Sequence, residues 1–216
     1  MSGSSQNEVT DAIAKVRSND PLVQNEGVAD LITIGQPATT ALLPLMSEGR
    51  SDVRAQAMYA LSEIADSGAR RAFQLGLEDD DERVRAYAAT GLARIGDPDA
   101  VDALLRTLND ASDSLHLDIT PAVLALGEMG LNAARALLSP LASDDEPTRM
   151  HAQRALERII AQRNGFETGR GFPSKQAEEQ ARLEWKANGD YDYAADAASR
   201  SASIELWRSW LQSQGI

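Results

Sequence analysis

Five segments of this 216-residue chain align on one pattern. They read GVADLITIG (Gly27 to Gly35), AMYALSEIA (Ala57 to Ala65), AATGLARIG (Ala88 to Gly96), AVLALGEMG (Ala122 to Gly130) and AQRALERII (Ala152 to Ile160). Successive copies are displaced by 30, 31, 34 and 30 residues. A period in this range is the signature of stacked supersecondary units. The shared core is a small residue, two variable positions, usually Ala, then Leu, two further variable positions, and Ile or Met. The last position is usually Gly or Ala. Each copy begins a stripe at i, i+4 and i+7, which is a helical period. In the third copy Val84, Ala88, Gly91, Leu92 and Ile95 share one face. Gly96 closes that helix by accepting positive φ, and Asp97-Pro98 supplies a cap and a first-turn proline for the next one.

The second helix of the third copy carries Val101, Leu104, Leu105 and Leu108 as its buried stripe. The other copies supply Leu42, Leu43 and Met46, then Phe73 and Leu77, then Leu137, Leu138 and Leu141. Each copy is therefore predicted to be two antiparallel helices of roughly 10 to 14 residues joined by a short turn. One hairpin cannot bury its apolar face alone, whereas stacked neighbours bury it jointly. The expected fold is all-α, an α-solenoid of about five short hairpins. Ala and Gly at the helix crossings let backbones approach, and Leu and Ile fill the space between layers.

A second pattern lies beneath the first. Val53-Arg54-Ala55 and Val84-Arg85-Ala86 occupy equivalent places, and Arg149 falls at the same register in the fifth copy. Acidic residues precede them: Asp52; Asp79, Asp80, Asp81 and Glu82; Asp144, Asp145 and Glu146. This arrangement resembles the HEAT-repeat superfamily. The unit of about 30 residues with D-x-x-V-R-x-x-A-x-x-A-L-x-x-I-G is similar to its phycobilisome-lyase HEAT-like subgroup. The third copy, DDDERVRAYAATGLARIGDPDAVDALLRTLND, carries the likeness best, and the likeness extends from about Asp20 to Arg163. It implies a fold far more than a function, because such repeats serve many unrelated proteins. The fourth copy departs from the pattern. It is three or four residues longer, lacks the Val-Arg pair and carries Pro121 in its first helix, so an irregular layer is expected at Ala111 to Pro121.

The two ends differ from the middle. Residues 1–19 hold a short amphipathic helix, Asn7 to Arg17, with Val9, Ile13 and Val16 on one side; it is expected to cap the array of residues 20–163. Residues 164–216 form a helical tail expected to pack on the last repeat. Seven of the ten aromatic residues lie beyond residue 165, including all three tryptophans, Trp185, Trp207 and Trp210. Gly165, Gly169, Gly171 and Pro173 mark a linker. Helices are predicted at Ser174 to Ala187 and Ser201 to Gln212. The last segment, Trp207-Arg208-Ser209-Trp210, resembles a Trp-rich tail that follows HEAT-like repeats in some bacterial proteins. Ile204, Trp207 and Leu211 share one side of the final helix, and Leu206 and Trp210 widen the stripe. The tail therefore reads as a cap on the fifth layer, or else as a Trp-bearing arm that docks on a partner.

Composition excludes more than it assigns. There is no cysteine, hence no disulfide, thiol nucleophile or thiolate metal site. Arg and Lys total 21 against 33 for Asp and Glu, a net charge of -12. Such a chain repels phosphate backbones, which argues against nucleic-acid partners. No apolar run approaches the roughly 20 residues needed to span a bilayer. The opening MSGSSQNEVTDA lacks a basic segment followed by an apolar one, so a cytoplasmic location is expected, or a periplasmic or exported one if a leader has been removed. His116 and His151 occupy non-equivalent repeat positions, and neither is followed by Glu, unlike the His-Glu pairs of the di-iron HEAT-repeat hydroxylase. No metal site, cofactor or catalytic residue is expected, and no nucleophile elbow, phosphate loop or dinucleotide fingerprint is present.

Three charged sets are candidates for function. The acidic loops read as helix caps, with a calcium site or a ridge for a basic partner as the other reading. Arg54, Arg85 and Arg149 read as a ladder paired with Asp at the preceding layer boundary, or as an anion site. Second helices, which usually line the concave side of such arrays, carry Arg70, Arg71, Arg106 and Arg135. Together with Gln74 and Asp102 these are the candidate partner-binding residues, and the alternative is a merely solvated face. Trp185, Trp207 and Trp210 are the candidate tail contacts. The function expected is a non-enzymatic scaffold that binds another protein on its concave face. The subgroup resemblance leaves a bilin lyase or isomerase subunit, or a chromophore chaperone, as the alternative.

Overall fold

Carboxylates and hydroxyls at helix entrances set the frame of the computed structural model, which describes residues 3–112 and 119–216. After α1 (Gly3–Val16), Asp20 accepts from the Leu22 N–H and opens α2 (Pro21–Ile34). The short α3 (Thr39–Leu42) runs directly into a 3-10 turn, Leu43–Ser47. Then come α4 (Ser51–Ile64) and α5 (Arg70–Gly76). Asp81 caps α6 (Glu82–Arg94), which is followed by α7 (Ala100–Arg106). Thr120 caps α8 (Pro121–Met129), and α9 (Leu131–Leu141) follows. Asp145, Ser174 and Asp196 cap α10 (Glu146–Arg163), α11 (Lys175–Ala187) and α12 (Ala197–Ser213). Each cap satisfies an N–H that the first helical turn leaves without a partner. Among the described residues there is no strand; one isolated antiparallel bridge joins Glu167 and Gly171. No described helix is long and apolar enough to cross a membrane.

The chain divides into two compact units, Met1–Ala103 and Leu104–Ile216. In the first, α2, α4 and α6 lie against one another in succession, α1 rests on α2, and α5 rests on α6. In the second, α8 and α9 both pack on α10, α11 packs on α10, and α12 packs on α9. The repeated leucine is the centre of each layer: Leu31, Leu61, Leu92, Leu126 and Leu156 are all buried. The small residues do what the pattern requires of them. A Cβ at Gly91 would fall 2.3 Å from the Phe73 ring, so α5 and α6 can meet this closely only because that position has no side chain. Between α1 and α4, buried Gln24 donates to the Val16 carbonyl at 3.2 Å and to Asp52 at 2.9 Å.

The structure corrects the second helices. They are not uniformly 10 to 14 residues: α5 and α7 have seven residues each, and α3 has four before its 3-10 turn. Pro44 has no N–H to donate back to Thr40, so the α-helical ladder stops there and the chain tightens. Leu42 and Leu45 are buried in that segment, while Leu43 and Met46 are only half-buried. On α7 and just beyond it the buried residues include Ala100, Ala103, Leu104 and Leu108, with Val101 and Leu105 half-buried. Leu104 and Leu108 are buried as expected, and Asp97 accepts from the Asp99 N–H in the turn before the helix begins. Pro121 does not interrupt a helix; it starts α8. Asp196 accepts from the N–H groups of Ala198 and Ser199, which starts α12 earlier than Ser201. Of the irregular layer expected at Ala111 to Pro121, residues 113–118 lie outside the described residues, and His116 with them.

One position of the repeat carries a testable strain. Gly35, Gly96 and Gly130, each the last residue of a copy, have φ of 74°, 69° and 62°. The equivalent residue of the second copy is Ala65, at φ 52° and ψ 40°. A left-handed backbone costs an L-residue roughly 1–2 kcal/mol, partly offset by the extra unfolded-state freedom of glycine. Ala65→Gly is therefore expected to stabilise the protein by about 0.5–1 kcal/mol in urea denaturation. A destabilised Ala65→Gly would contradict this assignment of the turn.

Candidate functional site

The repeated spacing of the arginine ladder has a geometric meaning. Arg54 donates from Nη1 to the carbonyls of Glu48 at 3.0 Å and Gly49 at 3.4 Å. Arg85 donates in the same way to Asp79 and Asp80, at 3.0 and 3.1 Å. Arg149 does so to Ser143 and Asp144, at 3.0 and 2.8 Å. In all three the acceptors lie six and five residues upstream, in the turn that enters the helix. Those carbonyls follow a second helix and have no helical partner of their own. Arg54 then reaches forward: Nε and Nη2 each donate to the Asp79 carboxylate at 2.8 Å. The Asp was expected at the preceding layer boundary. The structure puts the carbonyls there and the carboxylate at the following one, because one planar guanidinium can donate on both sides at once.

Arg149 has no further repeat loop ahead of it, and here the tail enters. Its Nε donates to the Tyr193 carbonyl at 3.0 Å, and the Tyr193 N–H donates to Gln153 at 2.8 Å. The Tyr191 hydroxyl, fully buried, donates to the Leu141 carbonyl at 2.6 Å. The sequence marked these two tyrosines only as part of an aromatic-rich tail. Main-chain acceptors leave no residue signature, and the Asp-Tyr-Asp-Tyr run after Gly189 was the sole available hint. The three tryptophans do come together: Trp207 is fully buried, with the Trp185 ring at 5.1 Å and the Trp210 ring at 5.4 Å. Arg163 lies over Trp210 at 5.6 Å. The Trp207 indole N–H finds no acceptor among the described residues.

The acidic loops act as caps and as partners of these arginines. Arg83 bonding, working against burial, holds Asp81 at about 2. Arg50 and then Gln24 hold Asp52 at about 2 as well. Burial pushes Asp79 upward, but Arg54 and the Asp81 N–H outweigh it and keep the carboxyl below its ordinary range. His151 is buried with Nδ1 2.7 Å from the Asn109 side-chain oxygen. Among the described residues no three His, Asp or Glu side chains are placed to share a metal ion.

The candidate partner residues fall in both units. Arg70, Arg71, Gln74 and Asp102 belong to the first, and Arg106 and Arg135 to the second. They are not equivalent. Arg70 is bonded to the buried carboxylate of Asp97 and, with the Asp99 N–H, keeps that carboxyl below its ordinary range. It links α5 to the turn between α6 and α7. Gln74 is half-buried; Asp102, Arg106 and Arg135 are exposed. Arg71 is exposed and forms no hydrogen bond or ion pair with the described residues. It lines a groove of about 300 Å³ between the 3-10 turn and α5. Leu43 and Met46 form one wall and Arg71, Ala72 and Leu75 the other. Leu75, one helical turn after Arg71, is 59% exposed. The sequence singled out Arg71 and missed Leu75, which stands outside the Phe73 and Leu77 stripe.

The HEAT repeats family model matches residues 39–119 and 72–157, more than half of the chain. The chain belongs to the HEAT-repeat family. Two solved structures, each described as an engineered protein, are similar to it. One is 21% identical over 94% of this chain and 97% of its own length, with a TM-score of 0.47. The other is 22% identical over 96% of this chain and 61% of its own length, with a TM-score of 0.40. No curated protein matches.

The depressed carboxylates give a pH prediction with a definite sign. Asp52 and Asp81 titrate near 2 when folded against 3.8 as free groups. Their contribution to stability is therefore complete above about pH 4 and is lost as pH falls towards 2. Urea midpoints measured at several pH values should hold between about pH 5 and 7 as far as these groups act, then fall progressively below about pH 4. A midpoint that does not move between pH 4 and 2 would contradict the ion-pair geometry.

Proposed function

We propose that this chain is a non-enzymatic scaffold that binds another protein through the second-helix side of its first unit. The observation that carries the reading is the pairing of Leu75 with Arg71. A guanidinium without a partner among the described residues and an aliphatic side chain 59% exposed sit at positions i and i+4 of one helix, beside a groove with Leu and Met walls. Arginine is enriched at interface hot spots, and the exposed leucine beside it adds apolar area that a partner can bury. Methionine lets such a wall adjust to the side chain it receives. Membership of the HEAT-repeat family is compatible with this role, and the net charge of -12 argues against a nucleic acid in the groove.

In the same reading the terminal segments are caps. Val9, Ala12 and Val16 of α1 are buried, which supports residues 1–19 as a cover for the first layer of residues 20–163. Arg149 bonded to Tyr193, together with buried Trp207, supports residues 164–216 as the cover for the last. Terminal repeats need such covers because one of their faces has no neighbour.

The test is a capture experiment with paired variants. Arg71→Glu combined with Leu75→Glu should lower retention of the partner about tenfold or more, with the helical circular dichroism unchanged, because both anchors are lost. Retention by wild type should weaken as salt rises. Arg182→Glu, outside the groove, should leave capture intact. Equal loss in both variants, or undiminished capture by the double variant, would overturn the groove assignment. The subgroup resemblance leaves a bilin lyase or chromophore chaperone as the other reading; bilin-dependent absorbance on mixing with pigment and apoprotein would favour it.

A further inference from the structure

The second unit holds a different groove, of about 420 Å³, between α9 and α12. Its apolar lining comes from Leu138 on one helix and Ile204 and Leu211 on the other, each less than a tenth exposed. Arg135 of α9 and Arg208 of α12 line it too. No acidic side chain does. In a chain with 33 carboxylate residues against 21 cationic ones, this groove brings together two guanidiniums from two helices, with Ile216 and its terminal carboxylate also in the lining. Arg135 forms no hydrogen bond or ion pair with the described residues. Arg208 is bonded to Glu205, and the two side chains are 47% and 66% exposed. An ion pair this open to water is weak and easily exchanged.

We propose that this groove binds a small amphipathic carboxylate, a molecule with one carboxyl group and a short aliphatic chain. The planar guanidinium of Arg135 matches a carboxylate with two parallel hydrogen bonds. Leu138, Ala142, Ile204, Leu211 and Ile216 in the lining offer the chain apolar contact. The volume lies at the lower end of what small-molecule sites provide, which suits a medium-length chain and not a folded partner. Ser139 and Gln212, also in the lining, supply a hydroxyl and an amide that can bond the second carboxylate oxygen. The proposal does not depend on the protein-binding reading above, since it rests on other residues in the other unit.

The experiment titrates octanoate into the full chain by calorimetry, with tryptophan fluorescence as a second readout. Trp207 and Trp210 flank Arg208 on α12, so an occupant should perturb them. Octanol, octylamine and acetate are titrated in parallel, and Arg135→Gln and Arg208→Gln are compared with Arg182→Gln. Saturable octanoate binding is expected, weaker by about tenfold or more in Arg135→Gln and less so in Arg208→Gln. Octanol, octylamine and acetate should each bind about tenfold or more weakly than octanoate, since each lacks the charge or the chain. Equal binding of octanol would reduce the groove to an apolar crevice and overturn the proposal. So would the absence of saturable binding, or octanoate affinity unchanged when both arginines are replaced and circular dichroism is intact.

Discussion

Three of the five layers depend on what happens to the carbonyl groups at the end of a second helix. These groups have no partner in their own helix, and the tight turn that follows keeps them from joining the next. Arg54, Arg85 and Arg149 meet them from the helix that comes after, each with one Nη1 reaching two carbonyls. Arg54 and Arg149 use a second nitrogen for an acceptor further along the chain. A single planar cation thus fixes the entry of its own helix and orients a later loop. Lysine, with one compact donor group, could not bridge both sides. In Arg54 and Asp79 the pair is also largely shielded, at 12% and 13% exposure. It is therefore worth more than a surface ion pair and costs more to break.

That arrangement explains which parts of the structure the sequence made legible. The first helices and the repeated leucines were readable because burial in each layer selects a side chain at a fixed interval. Leu31, Leu61, Leu92, Leu126 and Leu156 needed no tertiary information. The N-caps at Asp81 and Asp145 were readable for the same local reason. Second helices were less so. Their lengths depend on Pro44 and on the turn held by Asp97, and the pattern of apolar residues alone does not distinguish a 3-10 turn from an α-helix. The direction of the Arg54 pair was misread because sequence gives only the spacing, and acidic residues stand on both sides of it.

The candidate site was half legible. Arg71 could be picked out as a cation on a second helix, yet Arg70 beside it has a structural role, and nothing in the sequence distinguishes the two. The difference arises from the turn geometry that brings buried Asp97 to Arg70. Leu75, the residue that makes the groove more than a charged surface, was hidden by its own ordinariness. It stood outside the Phe73 and Leu77 stripe, and only the fold shows the groove that it lines. The tail was legible in composition and opaque in contact, since the groups that meet Arg149 and Leu141 include a main-chain carbonyl and a single hydroxyl.

The dependence of the stack on its arginines is tested most directly by a double-mutant cycle on Arg54 and Asp79. Arg54→Ala, Asp79→Ala and the double variant are denatured in urea at neutral pH alongside wild type, and the coupling is taken from the four free energies. For a shielded, doubly hydrogen-bonded pair the account predicts a coupling of about 1.5–3 kcal/mol. It also predicts that Arg54→Ala costs more than Asp79→Ala, because it frees the carbonyls of Glu48 and Gly49 as well. A coupling below about 0.5 kcal/mol, or a smaller loss for the arginine than for the aspartate, would contradict it.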